Sequence, residues 1–233
     1  MREDRDRKMR SIRHDFSSRS DVYDQEIIRS VPNYLPMLEA AVSSLPFEEN
    51  APLRIIDLGT GTGALAERVL DRFPNCHLTL VDMTENMLDK ARERLGESGA
   101  TTFLVKDFYD LQLPKDIDAV VSSLALHHLI TGEDKRSFYA MVLRSLRPDG
   151  VFVNADAVMS CDDWLEGHYK RRWMDFMRAS MGEEGANAVM QRHRKEDSLP
   201  CLTDQLRWLS EVGFSKVDVV WKDHMGAVVW ARK

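Results

Sequence analysis

Ile55-Ile56-Asp57-Leu58-Gly59-Thr60-Gly61-Thr62-Gly63 is the stretch that decides the fold. A short apolar run, Arg54–Leu58, suits a buried strand and passes directly into a loop with glycine at every second position. Glycine accepts positive φ and lets the backbone approach a ligand, so the loop reads as a cradle at a strand end. The helical pattern of Ala64–Arg72 follows at once. Outward from there the chain alternates. Strand-like runs lie at Leu78–Val81, Thr102–Val105, Ala119–Ser122 and Val151–Asn154, and helix-like runs at Glu85–Leu95 and Lys135–Leu146. Such alternation implies right-handed crossovers and a parallel, doubly wound α/β sheet. Arg147-Pro148-Asp149-Gly150 reads as a turn, because Pro presets φ and Gly tolerates positive φ.

Toward the N-terminus, Tyr23–Leu45 carries Ile27, Ile28, Val31, Leu35, Leu38 and Val42 at helical spacing. Pro32 and Pro36 break it into a short helix, a turn and a second helix. The opening MREDRDRKMR is charged with no apolar run behind it, so it reads as a frayed terminal segment and not a secretion signal. Residues 1–50 are thus expected to form an N-terminal helical lid segment, and 51–233 the α/β domain. Toward the C-terminus the pattern breaks between about Ser160 and Ser198, a helical stretch rich in Trp, Met and Arg that reads as a cap. Leu202–Val212 is a further helix ending at Gly213. Val217–Trp221 and Ala227–Ala231 close the chain, and the short link Lys222–Gly226 requires them to pair antiparallel.

The 233 residues, 43% of them hydrophobic, suit one large domain. A net charge of −6 supplies no basic field for a phosphate backbone, which argues against nucleic acid. The three cysteines, Cys76, Cys161 and Cys201, are widely spaced and form no CxxC pair, which points to a reducing, cytoplasmic setting. No apolar run approaches the roughly 20 residues of a membrane span.

Read alone, Gly59-x-Gly61-x-x-Ala64 also satisfies a loose nicotinamide dinucleotide pattern. Asp57 favours another ligand, since a carboxylate before the first glycine attracts an ammonium group but disfavours a pyrophosphate. Asp82, about twenty residues on, can accept both hydroxyls of a ribose. Met83 can lie against an adenine face or simply pack. Asp107 can accept from an adenine amino group with Phe108 beside the ring, or cap a helix. Ser122-Ser123-Leu124-Ala125-Leu126-His127-His128-Leu129 ends the fourth strand, where a reacting centre sits in a doubly wound fold.

Together, Asp57-Leu58-Gly59-Thr60-Gly61-Thr62-Gly63, Asp82, Asp107, the Ser-Leu-Ala-Leu-His-His-Leu run and Leu146-Arg147-Pro148-Asp149-Gly150 resemble the ordered motifs of class I S-adenosylmethionine (SAM)-dependent methyltransferases, of the small-molecule type with a His-His-Leu fourth motif. The resemblance covers roughly Arg54 to Ala157. It implies a seven-stranded, mostly parallel Rossmann-like sheet with an antiparallel last strand. It also implies SAM as cofactor and S-adenosylhomocysteine as product. Gly59, Thr60, Gly61 and Gly63 would lie at the methionine part, with Asp82 and Met83 at the ribose and adenine. Asp107 and Phe108 would meet the adenine, and Ser123 would complete the cofactor shell. More distantly, Ile28-Arg29-Ser30-Val31-Pro32-Asn33-Tyr34, the Gln205–Phe214 helix and the last strands resemble carboxy-SAM synthases of tRNA wobble-uridine modification. That likeness implies a cofactor contact for Tyr34, an arginine near Arg192 or Arg194 that holds a carboxylate, and a homodimer. Where those enzymes have a cysteine-serine pair this chain has Thr60 and Gly61, and they lack the His127-His128 pair, which favours ordinary methyl transfer.

Methyl transfer from a sulfonium is an in-line displacement that needs alignment and desolvation of the acceptor. A base is needed only for a protonated acceptor, and His127 or His128 could serve, His127 by preference. Both could equally be packing residues. His127, His128 and Asp156 could be assembled into a metal site on paper, but no helix carries ligand spacing, so no metal is expected. Tyr23, Tyr34, Asn154, Asp156, His168, Tyr169, Trp173 and His224 are available to line a partly apolar acceptor pocket under the lid and cap. The readings left standing are a small-molecule methyltransferase, a SAM-modifying enzyme and a non-catalytic SAM-binding protein. An NAD-dependent oxidoreductase stands further off.

Overall fold

A computed structural model describes residues 2–96 and 99–233. Seven strands form one sheet in the order β3-β2-β1-β4-β5-β7-β6. They are β1 Arg54–Leu58, β2 His77–Asp82, β3 Thr101–Val105, β4 Ile117–Ser123, β5 Leu146–Ala157, β6 Lys216–Asp223 and β7 Gly226–Arg232. β1 to β5 pair parallel, whereas β7 runs antiparallel to both β5 and β6. The doubly wound sheet with its antiparallel final strand is therefore as expected. Both faces are covered. Ile55, Leu78, Leu80, Val121 and Val153 point to one core cluster, and Ile56, Leu58, Val81, Val120 and Phe152 to the other. This is period-two alternation with burial on either side, and it accounts for strands that read as apolar throughout.

The helices are α1 Arg2–Arg19, α2 Tyr23–Ser30, α3 Tyr34–Ser43, α4 Ala64–Arg72, α5 Glu85–Leu95, α6 Gly132–Ser145, α7 Asp163–Glu196 and α8 Leu202–Val212. α6 starts three residues before its apolar pattern, because Thr131 and Asp134 form a reciprocal capping box. Only Pro32 stands in the break between α2 and α3. Pro36 lies in the first turn of α3, where its missing N–H leaves no bond unmade. Arg147-Pro148-Asp149-Gly150 is not a free turn but an irregular start to β5, with Asp149 at φ 62° and a register shift opposite Ile117 and Ala119. α7 is interrupted at Gly182, whose φ of 78° splits the cap into two segments.

The expectation of a frayed N-terminus is overturned. Residues 2–19 form α1, with Glu3 and Asp4 in its first turn and Arg19 in its last, each complementing the helix dipole. Met9 and Ile12 are buried, and Asn86 donates to the Ser17 hydroxyl at 2.8 Å while Lys8 donates to that of Ser198 at 2.9 Å. These contacts lay α1 across α5 and the end of α7. Ile12 is 0% exposed, so Ile12→Ala is expected to cost about 2–4 kcal/mol. A thermal melt reads this directly: a frayed helix would leave the midpoint unmoved, whereas a packed one lowers it by several degrees.

Candidate active site

The strand ends set the stage. β1 pairs with β2 on one side and β4 on the other, so strand order reverses at β1, and the crevice beyond its C-terminal end is where doubly wound sheets bind ligands. Two cavities meet there. A larger one of about 340 Å³ lies between α1–α2, the turn after β4 and the cap. A smaller one of about 40 Å³ lies over the glycine loop, Asp82, Met83 and Phe108. Phe16, Tyr23, Leu124 and His128 line both.

The glycine loop folds back on β2, with Gly59 and Thr60 both donating to the Val81 carbonyl at 2.8 and 3.0 Å. Gly59 has φ 68° and packs so tightly that a Cβ would lie 2.2 Å from that of Ala125. Gly61 has φ 53°, borders the smaller cavity, and a Cβ there would meet nothing within 4 Å. Its N–H donates to Asp82 Oδ2 at 3.0 Å. Asp82 Oδ1 accepts from the N–H and hydroxyl of Thr84 at 2.9 and 3.1 Å, which fixes the carboxylate at the cavity edge. Burial pushes its pKa up against these bonds. Gly63, at φ 85°, precedes α4 and backs onto Ala91.

Asp57 is fully buried and borders neither cavity. Thr60 donates its hydroxyl to Asp57 Oδ2 at 2.5 Å, while Oδ1 has no hydrogen-bond partner among the described residues. Burial raises its pKa to about 7, opposed by the Thr60 bond and reinforced by Asp82. Met83 and Phe108 line the smaller cavity. Asp107 accepts from Tyr109 N–H at 3.1 Å and lies 3.6 Å from Arg13 of α1, outside both linings. Ser123 is likewise outside them, and Tyr34 is buried in the core cluster beside α4.

His127 and His128 occupy a single 3-10 turn, Leu126–His128, with ring centroids 4.1 Å apart. His127 Nδ1 is 2.5 Å from Asp156 Oδ1, and Asp156 Oδ2 accepts the His127 N–H at 3.0 Å. Asp197, at the end of the cap helix, stands 3.5 Å from His127 Nε2 and 3.7 Å from His128 Nδ1, and meets His193 Nδ1 at 2.6 Å. Burial lowers the His127 pKa, but Asp156 and Asp197 outweigh it and hold the ring up at about 10. Burial and the neighbouring His127 push His128 down to about 3. His128 Nδ1 is buried and has no hydrogen-bond partner among the described residues.

Of the acceptor-side candidates, Tyr23, Trp173 and His224 line the larger cavity, whereas Tyr34, Asn154, Asp156, His168 and Tyr169 do not. Arg192 lines it and Arg194 does not. Residues that sequence reasoning missed include Phe16, Arg19 and Glu26 from α1–α2, and His193 and Asp197 from the cap. Met9, Ile12 and Phe16 do recur at helical spacing, but charges on every side obscure them.

A family model described as a methyltransferase domain matches residues 55–150. A malonyl-[acyl-carrier protein] O-methyltransferase of Geobacter sulfurreducens is 33% identical over 149 residues, 64% of this chain and 52% of that one. A carboxy-S-adenosyl-L-methionine synthase of Aeromonas hydrophila is 26% identical over 208 residues, 85% of this chain and 82% of that one. A solved phosphoethanolamine N-methyltransferase 2 of Haemonchus contortus, in complex with S-adenosylhomocysteine, shares the fold with a TM-score of 0.65 at 17% identity, covering 87% of this chain and 43% of that one. The chain spans about half the length of the curated relatives it matches first. No helix among the described residues is long and apolar enough to cross a membrane. The glycine loop and the strand order agree with the match of residues 55–150 to a methyltransferase domain, and in these features the chain resembles the class I SAM-dependent methyltransferases.

Proposed function

We propose that the chain binds SAM over its glycine loop and transfers the methyl group to a small-molecule acceptor in the larger cavity. The observation that carries this reading is the meeting of the two cavities at Phe16, Tyr23, Leu124 and His128, beyond the ends of β1 and β4. SAM supplies a methyl group already activated on a sulfonium. The chain's own residues fit that ligand. Asp57 Oδ1 is a buried acceptor in need of a donor, and an ammonium can provide it only if the glycine loop that separates Asp57 from both cavities shifts on binding. Gly61 leaves space at the cavity wall, and Asp82 keeps lone pairs for ribose hydroxyls. Met83 and Phe108 offer apolar surface to an adenine. Asp107 is proposed at the adenine amino group once Arg13 swings aside. Thr60 and Gly63 shape the loop from behind, and Tyr34 and Ser123 support it without touching the ligand.

α1 and α2, with the cap, form the lid in this reading. Phe16, Tyr23 and Trp173 exclude water, and His127 and His128 receive the nucleophilic atom of the acceptor. Arg172 and Arg192 on the same wall suit an acceptor bearing a carboxylate. The His-His-Leu motif, a cytoplasmic location with reduced thiols and a homodimer belong to the same proposal, and sedimentation checks the last. The direct test is S-adenosylhomocysteine formation across a panel of small carboxylates, phenols, amines and thiols. Turnover on one class supports the reading. SAM binding without turnover on any of them would leave a non-catalytic binding protein.

A second reading has a specific observation in its favour, because Arg192 of the cap lines the larger cavity, as an arginine that holds a carboxylate on the SAM methyl group would. Mass spectrometry of ligand copurifying with the protein separates the two, since carboxy-SAM is heavier than SAM.

The raised pKa of Asp57 gives a pH dependence with a definite sign. Near pH 6 much of Asp57 is protonated, and an ammonium binds only the ionised form, so SAM binding must release a proton. Affinity is expected to fall as pH drops below about 7, by up to about tenfold per unit, and to level off above it. Calorimetry in buffers of different ionisation enthalpy counts the proton. Asp57→Asn should remove the dependence, and a flat wild-type profile would separate Asp57 from the ammonium.

A further inference from the structure

Three ligand-bearing side chains converge on the wall of the larger cavity, with one ligand-type atom each of His127, His128 and Asp197 lying within 4.8 Å of the others. The two rings stand 3.5 and 3.7 Å from the carboxylate oxygen. Those separations exceed the roughly 2.7–3.2 Å of an N–H···O hydrogen bond. They are close to about 3.4 Å, the edge of a tetrahedron built on metal–ligand bonds of about 2.0–2.1 Å. His128 Nδ1 is buried and has no hydrogen-bond partner among the described residues, although an imidazole nitrogen shut away from water needs one.

The supporting contacts of a metal centre are also present. Asp156 Oδ1 lies 2.5 Å from His127 Nδ1, which turns Nε2 of that ring toward Asp197. His193 Nδ1 engages the second oxygen of Asp197 at 2.6 Å. A carboxylate behind a histidine, fixing its tautomer and raising its basicity, is the usual outer support of a metal-ligating ring. The backbone holds the two halves together, with Ser198 N–H donating to the His127 carbonyl at 3.1 Å. The ligands come from the 3-10 turn after β4 and from the end of the cap, so no single helical spacing reveals them.

We propose that His127 Nε2, His128 Nδ1 and Asp197 Oδ1 bind one divalent transition-metal ion, Zn²⁺ or a similarly borderline cation. Two nitrogens and one oxygen suit such an ion and not Mg²⁺ or Ca²⁺, which favour all-oxygen sites. A metal here departs from the sequence expectation of none, and Asp156 belongs behind His127, not among the ligands as in the paper assembly of His127, His128 and Asp156. All three ligands border the larger cavity, and three protein ligands leave a coordination position for a heteroatom of the acceptor. That role rests on the methyl-transfer reading. The binding of the ion does not.

The test uses the full chain, stripped with a chelator and titrated with Zn²⁺ and Co²⁺, with a SAM titration on the same samples. One equivalent of ion and the visible absorption of low-coordinate Co²⁺ are expected. Asp197→Ala should weaken Zn²⁺ by at least about 100-fold and Asp156→Asn by about 10- to 100-fold, while SAM affinity in Asp197→Ala is retained. Cys161, Cys201 and Asp204 are the other cluster able to hold an ion, so a Cys161→Ser/Cys201→Ser variant must keep the binding. Loss of binding in that variant, or its survival in Asp197→Ala, would overturn the proposal. So would a wild-type chain that takes up no stoichiometric ion and gives a featureless Co²⁺ spectrum, whether or not the variants fold. A wild-type chain that binds SAM but takes up no ion counts against this site alone. SAM binding absent with the ion retained counts against the methyltransferase reading.

Discussion

Replacing Asp82 with alanine is expected to weaken SAM binding by at least about 100-fold. The carboxylate is held at the cavity edge by Gly61 N–H at 3.0 Å and by the N–H and hydroxyl of Thr84 at 2.9 and 3.1 Å, so it is oriented before any ligand arrives. Each hydrogen bond from a ribose hydroxyl to a charged acceptor contributes about 1.5–3 kcal/mol, and two are lost together. The alanine variant also frees the Gly61 N–H, which loosens the loop beneath the methionine part. Asp82→Asn separates the two effects, since it keeps the shape while presenting an amide N–H₂ toward either Gly61 or the ribose. Calorimetry reads the affinity and circular dichroism checks the fold. An affinity within a few fold of wild type in a folded Asp82→Ala protein would remove the ribose from this site.

The second large effect divides two neighbouring glycines. Gly59→Ala is expected to prevent stable folding, because its Cβ would sit 2.2 Å from the Ala125 Cβ and 3.3 Å from Phe108 at a φ of 68°. Left-handed backbone costs a non-glycine residue about 1–2 kcal/mol, and the steric overlap adds several more. Gly61→Ala carries the same backbone strain at φ 53° but meets no protein atom within 4 Å. It should fold, with a midpoint lowered by a few degrees, and lose SAM affinity, because its methyl group enters the ligand's space. Thermal melts and SAM titrations of the pair give four results, and only the pattern of an unfolded Gly59→Ala with a folded, non-binding Gly61→Ala fits a glycine loop of two functions. Equal behaviour of the two would leave the loop as a tight turn.

The core of the fold is legible because each strand carries its own evidence. Ile55-Ile56 faces both clusters, the glycines follow, and Thr84, Thr131 and Gly213 mark helix ends in the ordinary way. α1 is not legible. Its buried Met9 and Ile12 sit among Arg and Asp side chains, and contacts with elements distant in sequence, α5 and the far end of α7 among them, make that helix worth forming. The start of β5 misleads for a related reason. Pro148 and Gly150 carry turn chemistry, but a Cβ on Gly150 would lie 2.9 Å from the Arg147 carbonyl and 3.0 Å from that of Ile117, so the glycine serves a close strand approach.

At the site, the motif residues divide: Gly59, Gly61, Asp82, Met83 and Phe108 gather around one cavity, whereas Asp57, Asp107 and Ser123 lie outside both linings. Residues from the lid and cap could not be placed by spacing. Tyr34 turns into the core while Tyr23 takes the cavity wall, because the α2–α3 break reorients the chain between them. Asp197 and His193 are an i,i+4 pair at a helix end, ordinary on their own, and acquire meaning only when the cap folds over His127 and His128.

Titration of the purified full chain with SAM, S-adenosylhomocysteine and NADH in one calorimetric series tests the central claim most directly. Micromolar binding of the two sulfur ligands at one site, with none for the nicotinamide, is the predicted result. A folded protein that binds neither sulfur ligand, or that prefers NADH, would contradict it.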